Sequence, residues 1–347
     1  MKKTLYMHVG AGKTGTSVLQ QFFLANQNAL AERGYIFPHQ CQVNVNHGVQ
    51  HHLLADLGSY KNPSAIDAWA EIAVGSRQTA VISSELLHNK ISTGEGPTFF
   101  RQLRELFADW NIRVVFYIRR QSQWLQSAYA QHVKGALEVR KYPDFVGHYK
   151  RNLPDQIIEF SEIFGPKAMV VRPFERAQFV GSDICKDFCT AIDLEWSNEF
   201  KIPKINANPR LTLDALELKR QLNHYFDSPK DMKCILDALL DYSKREDSKA
   251  SADAFHTHDL FDPAIQLKIE QENASKYARI AGELMGRSDG VLFRDGLDAR
   301  LSGAIAAEQP KYKVPQTDAA TAFVIDQLLH RIDGFENRLK QLKAKIK

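Results

Sequence analysis

Apolar positions near the start of the chain change period twice within twenty residues. Leu5 to Val9 is a short continuous apolar run, Gly10 and Gly12 interrupt it, and amphipathic spacing then begins at Val18, Leu19, Phe22 and Phe23. The run reads as a buried strand and the three-and-four spacing as a helix, so strand, glycine turn and helix start share one stretch. The helix is predicted from Val18 to about Arg33, stopping at Gly34 before a short extended piece, Tyr35 to Pro38. A helix from about Ser64 to Val74 leads to the β-branched strand Thr79 to Glu85. Val114 to Ile118 is a third strand, running through Arg119 and Arg120 into a helix that starts near Ser122. Ala168 to Glu175 reads as a fourth, with Arg172 and Glu175 at its exit and a helix from Cys185 to Ile192 packed on the sheet. Alternation of this kind predicts an α/β fold, a parallel sheet flanked by helices. Residues 1–200 are assigned to this core and 201–312 to a mainly helical completion, with stretches such as Leu213 to Phe226 and Ile265 to Met285 separated by prolines. Residues 317–347 form a helical C-terminal extension.

The glycine turn is the first piece of candidate chemistry. Backbone N–H groups and the positive end of the helix dipole converge there, and glycine lets an anion come close. Lys13 adds a charge, and Thr14, Thr16 and Ser17 add hydroxyl donors around Gly12 and Gly15. Gly15 is followed by Thr16 and the lysine precedes it, so the order is not the Gly-Lys-Ser/Thr of a nucleotide-kinase loop. A bare tight strand-to-helix connection is the bland alternative. At the end of the third strand, Arg119 offers a forked charge and Ser127, eight residues on, a neutral donor, a pair suited to a phosphate monoester. Functional side chains of such sheets collect at the carboxyl ends of the strands, which makes Glu85 the candidate general base. Its competing reading is a helix cap, with Ser83 or Ser84 at the N-cap. His51 or His52 is a reserve base.

Lys-Thr-Gly-Thr-Ser at 13–17 resembles the 5′-phosphosulfate loop of sulfotransferases that use 3′-phosphoadenosine 5′-phosphosulfate (PAPS), and Arg119 with Ser127 resembles their 3′-phosphate motif. The position of Glu85 is similar to that of the base in several of them. The resemblance implies a P-loop-type sheet, Gly12, Lys13, Thr14, Gly15, Thr16, Ser17, Arg119 and Ser127 around the donor nucleotide, and Lys13 and Glu85 in catalysis. It implies transfer of a sulfuryl group to an acceptor hydroxyl, most readily on a carbohydrate or a glycolipid, with adenosine 3′,5′-bisphosphate (PAP) as product and no metal. The Arg-Lys-Gly signature of better-known members is missing; Lys204 or Arg210, near the 206–213 segment that is similar to one in bacterial members, could stand in for it. An NTP-dependent kinase or phosphotransferase is the alternative enzyme, and a non-catalytic nucleotide-sensing scaffold the alternative from another class.

Composition narrows the partners. The 347 residues are 44% hydrophobic and 25% charged with a formal charge of +4, which suits a polyanionic co-substrate and does not call for nucleic acid. Four cysteines, Cys41, Cys185, Cys189 and Cys234, match no zinc spacing and read as reduced thiols. His47 and His51 stand four apart but lack a third ligand. The apolar run after Met1 is too short for a signal peptide and none of about eighteen residues occurs, so a cytoplasmic protein is expected. Basic and aromatic residues from Lys134 to Lys150 would suit an acidic or carbohydrate acceptor, or form a solvated face. In the tail, Ile325, Leu328, Ile332, Phe335, Leu339, Leu342 and Ile346 alternate three and four apart. That spacing leaves three readings open: a two-stranded coiled coil making a homodimer, a helix packed on its own domain, and a basic amphipathic helix on an anionic membrane.

Overall fold

The computed structural model describes residues 3–45, 48–75, 79–203, 211–249, 262–306, 316–328, 330 and 331. In chain order the elements are β1 (Thr4–His8), α1 (Thr16–Ala25), α2 (Gln27–Glu32), β2 (Tyr35–Ile36), β3 (Val43–Val45), β4 (Gly48–Gln50), α3 (Ala65–Gly75) and β5 (Thr79–Ser83). There follow α4 (Glu85–Ile91), α5 (Gly96–Leu106), β6 (Asn111–Ile118), α6 (Gln121–Gly135), α7 (Tyr142–His148), α8 (Leu153–Phe164) and β7 (Met169–Pro173). The remaining helices are α9 (Ile184–Ala191), α10 (Leu213–Leu222), α11 (Lys233–Lys249), α12 (Pro263–Arg279) and α13 (Leu297–Ala306).

Two compact units interleave along the chain. The first comprises Met1–Gln121, Arg151–Ile205 and Ile269–Leu297, and the second Ser122–Lys150, Asn206–Lys268 and Asp298–Lys347. The first holds a five-stranded parallel sheet in the order β2-β5-β1-β6-β7. β1 is central, and Leu5, Tyr6 and Met7 are buried on both of its faces, as expected where helices cover a parallel sheet on either side. Chain order departs from β1 to one side for β5 and to the other for β6, so the turn after β1 lies where the strand order reverses.

One layer of the core joins α1 and α9 to the sheet. Leu19, Phe22 and Phe23 of α1 meet Tyr6, Val81, Val115, Tyr117 and the α9 residues Cys185, Phe188 and Cys189. The helix that periodicity predicts as one piece breaks at Asn26. This buried amide donates to the Phe22 and Lys201 carbonyls at 2.8 and 2.9 Å and accepts from Lys201 N at 2.8 Å. Asparagine competes with the backbone for its own hydrogen bonds, and here that competition ties a distant segment to the end of α1. The polar stretch after β2, read from sequence as irregular, contains the β3–β4 hairpin and a 3₁₀ turn at His52–Ala55.

The second unit is helical around two apolar clusters. Ala128, Tyr129 and Val133 of α6 pack with Tyr142 and Phe145 of α7 and with Leu216. Two of the aromatics read as a surface patch between Lys134 and Lys150 are therefore core: Tyr142 and Phe145 are 2% and 1% exposed. Arg140 from the same stretch is held by Glu138 at 2.6 Å. In the second cluster Ala320 and Val324 pack against Ala215 and Leu218 of α10 and Leu239 and Tyr242 of α11. The beginning of the tail thus folds onto its own unit, and Ile325, first of the heptad series, points outward at 53% exposure. The rest of that series, from Ile332 on, lies outside the described residues. Among the described residues no helix is long and apolar enough to cross a membrane.

A buried charge holds α9 to the sheet. Asp187 is fully buried and accepts from Tyr117 Oη at 2.7 Å, from Val180 N at 3.0 Å and from both Arg172 Nε at 3.0 Å and Nη2. Asp187→Ala leaves a buried phenol and a guanidinium unpartnered, so we expect a loss of about 3 kcal/mol, the low end for a broken buried pair because Arg172 retains some water. Asp183, the N-cap of the same helix, accepts from Cys185 N and Lys186 N, and Asp183→Ala should cost only about 1 kcal/mol. Urea denaturation of the two variants checks the ranking; equal losses would contradict it.

Candidate active site

The turn between β1 and α1 is crowded at two of its glycines. A Cβ on Gly10 would come within 2.6 Å of His8 Nε2 and 2.8 Å of Thr16 Cγ2. Gly15 has φ +80°, and a Cβ there would meet Ile184 Cδ1 at 2.3 Å. Lys13 also adopts a left-handed conformation, φ +74°, which costs a non-glycine residue energy. Gly15 is the N-cap of α1 and has no side chain with which to cap it. An uncapped helix terminus reached through a glycine turn is a receptor for an anion.

Glu85 is brought onto this turn from the end of β5. Its Oε1 accepts from Thr16 Oγ1, and its Oε2 would lie 3.4 Å from a Cβ on Gly12. Burial raises its pKa above the ordinary carboxylate value, and the Thr16 hydrogen bond and the Lys13 charge reverse part of that rise. The cap reading holds for Ser84, and Glu85 itself stands at the start of α4. Ser84 is the N-cap and accepts from Leu86 N at 3.2 Å, and the carboxylate still faces the turn.

The hydroxyls of the turn are already engaged. Thr14, read as a donor to an anion, turns its hydroxyl inward to the Ala11 carbonyl at 2.6 Å and is fully buried. Thr16 donates to Glu85. Ser17 lies half-buried in the first turn of α1.

Buried histidines line the floor beneath the turn. His8 Nδ1 lies 2.9 Å from Ser83 Oγ, which also accepts from Gln20 Nε2 at 3.2 Å, and burial holds the ring neutral with a pKa of about 3. His51, a reserve base on the sequence reading, has both nitrogens occupied by backbone: Nε2 donates to the Pro38 carbonyl at 2.6 Å and Nδ1 accepts from Ser83 N at 3.2 Å. It is a fully buried structural residue, its pKa lowered by burial to about 4. His52 Nδ1 accepts from Ser84 Oγ, 2.9 Å away, and so steadies the cap of α4. His47 lies outside the described residues, as do Lys204 and Arg210.

At the exit of β6 two adjacent arginines diverge. Arg119 is half-buried at the strand end. Arg120, which the sequence left without a role, is buried: its guanidinium donates to Asp295 at 2.8 Å and to Glu270 at 2.9 Å and lies over the Phe293 ring. Those partners are 175 and 150 residues away, and no local signal announces them. Glu175, past β7, accepts the backbone N–H groups of Arg294 and Asp295 at 3.0–3.3 Å. The strand exits are thereby fastened to the 294–295 segment. Ser127 lies half-buried in α6, in the second unit.

The first unit therefore gathers, at one strand edge, an anion-receptive turn, the lysine that acts on Glu85, and a carboxylate of raised pKa. That set can hold an anionic leaving group and withdraw a proton beside it. Among the described residues no group of three or more His, Cys, Asp or Glu is placed to hold a metal ion.

Comparisons with known proteins add little beyond this geometry. No family model matches the chain. An uncharacterized protein of Archaeoglobus fulgidus is 32% identical over 147 residues, a segment that covers 40% of this chain and 39% of that relative's length. Among solved structures, this chain is similar to a sulfotransferase from Alicyclobacillus acidocaldarius at 16% identity, covering 65% of this chain and 92% of that one with a TM-score of 0.37. A likeness that loose assigns neither family nor activity.

The closeness of the turn can be tested directly. Gly15→Ala should destabilise by somewhat more than the roughly 1–2 kcal/mol of a left-handed alanine, because its Cβ also pushes the end of the Ile184 side chain aside. Gly34→Ala, with φ +81° and open space around it, carries the backbone cost alone. Adding Ile184→Val, which removes the Cδ1 methyl, should return part of the Gly15→Ala loss. Equal effects at positions 15 and 34 would contradict the contact.

Proposed function

We propose that this protein is a sulfotransferase that moves a sulfuryl group from PAPS to an acceptor hydroxyl. The observation that carries the reading is the apposition of Glu85 to the Gly12–Thr16 turn, with Lys13 acting on the same carboxylate. The order Lys13, Gly15, Thr16 supports it over a kinase loop, in which lysine follows the second glycine. The residues present suit the donor nucleotide: a Cβ at Gly10 or Gly15 would press on the His8, Thr16 and Ile184 side chains, and the N-cap of the helix behind is a glycine.

In this reading the α1 terminus and Lys13 hold the 5′-phosphate, with Thr14 and Ser17 contributing through the backbone and first turn. Arg119 takes the 3′-phosphate, and Ser127 is assigned there by the motif alone. The reaction is one displacement. Glu85 withdraws the proton of the acceptor hydroxyl while its oxygen bonds to sulfur, the sulfur–oxygen bond to the 5′-phosphate breaks, and PAP leaves. Lys13 stabilises the charge that develops on the departing phosphate oxygen. A base of raised pKa is suited to this work near neutrality. A carbohydrate or lipid-linked hydroxyl is the acceptor class we assign.

Transfer of labelled sulfur from PAPS to a panel of carbohydrate and lipid-linked acceptors tests the reading. Lys13→Ala should lower kcat by about 10²–10³-fold with a smaller change in donor affinity, as removal of an oxyanion donor does. Arg119→Ala should instead raise the donor KM, because its contact is equal in ground and transition states. The activity of wild type should fall as pH drops through the raised pKa of Glu85, and Glu85→Gln should lose that acidic limb along with most of the rate. Full activity in Glu85→Gln, or an Arg119→Ala effect confined to kcat, would contradict the roles assigned.

A further inference from the structure

Thr16 is buried, 3% exposed, and its hydroxyl carries one proton. That proton is committed to Glu85 Oε1. Yet Thr16 is the first residue of α1, directly after the Gly15 N-cap, where an anion at the helix terminus is met. One hydroxyl cannot donate to both. The other oxygen of the carboxylate stands 3.4 Å from where a Cβ on Gly12 would sit, so the carboxylate borders the turn that would hold the anion. Lys13 acts on the same carboxylate through its charge.

We propose that Thr16 is a positioning residue that couples the two halves of the site: it holds Glu85 before the nucleotide binds, and on binding its hydroxyl turns to an oxygen of the 5′-phosphate and releases the carboxylate to the acceptor. The proposal rests on the donor-site reading above. It gives the reaction an order. Before the handover Glu85 is held by Thr16 and its ionised form is favoured by the Lys13 charge; after it, the hydroxyl has moved to the phosphate, whose negative charge offsets that of Lys13 and stands beside the carboxylate. Each of these changes strengthens Glu85 as a proton acceptor. The base therefore reaches full strength only once the donor is in place.

A measurable consequence is proton uptake on nucleotide binding. Lys13 on the turn is the charge that acts on Glu85; the titratable groups of the neighbouring elements are His8 at the end of β1, His52 on the 52–55 turn, bonded to Ser84, and His88 on α4, itself influenced by Arg151. Burial keeps the three histidines neutral, with pKa values of about 3, 4 and 4, so they do not titrate between pH 5.5 and 8. If binding raises the Glu85 pKa, protons are taken up at pH values between its free and bound pKa and none well above both.

Calorimetric titration of the full chain with PAP, in paired buffers of different ionisation enthalpy from pH 5.5 to 8, reads this directly. Wild type should take up more protons than Glu85→Gln, the difference removing the titration of the phosphates themselves. In Thr16→Val, where Glu85 has already lost its hydrogen bond, the excess should shrink, and Thr16→Ser should restore it. The Glu85→Gln comparison stands even should the valine variant fail to fold. Equal uptake by wild type and Glu85→Gln, or an undiminished excess in a folded Thr16→Val that binds PAP, overturns the handover and leaves the donor site intact. Failure of PAP to bind any variant overturns the donor-site reading, and the handover with it.

Discussion

Close approach of backbone is the constraint on which this sheet edge depends. The turn after β1 passes so near the side chains of His8, Thr16 and Ile184 that a Cβ at Gly10 or Gly15 would displace them, and Gly12 leaves only contact distance to Glu85. That tightness does two things. It brings Gly15, which has no side chain to cap with, to the start of α1, and it lets a carboxylate from the end of β5 lie against the same turn. The central place of β1, between β5 and β6, makes the meeting possible, because Ser84 N reaches the His8 carbonyl at 3.1 Å and carries Glu85 across.

Around this meeting the polar groups are divided between support and chemistry. His8, Ser83, Gln20 and His51 form a neutral floor, and His52 with Ser84 fixes the start of α4. At the far strands, Asp187 binds α9 to Tyr117 and Arg172, while Arg120 is neutralised by Glu270 and Asp295. Buried charges of this kind are costly unless paired, so their pairing marks them as architecture. Glu85 differs: its nearest cation and its hydrogen-bond donor both belong to the turn that would receive the ligand.

What could be read from sequence was local. Continuous apolar runs at Leu5–Val9 and Val114–Ile118 give strands, and glycines beside Lys13 give the turn, because each signal occupies adjacent residues. Glu85 was legible as a strand-end carboxylate, but not its bond to Thr16, which lies 69 residues away. Arg120 could not be distinguished from Arg119, since its partners are brought by α12 and the segment after it. His51 looked like a spare base because sequence shows a titratable ring and not the carbonyl of Pro38 that occupies it. Tyr142 and Phe145 looked like a surface patch because basic neighbours flank them, although Arg140 is paired and the rings face inward.

The central claim is that the turn after β1 receives the 5′ anion of a 3′-phosphorylated adenosine nucleotide through backbone and Lys13. Equilibrium binding of PAP in the presence of a chelator, set against ATP with Mg²⁺, tests it most directly. The account predicts that PAP binds without metal, and more tightly than ATP with Mg²⁺. Binding of ATP only, and only with Mg²⁺, would contradict it and make a kinase the better description of this fold.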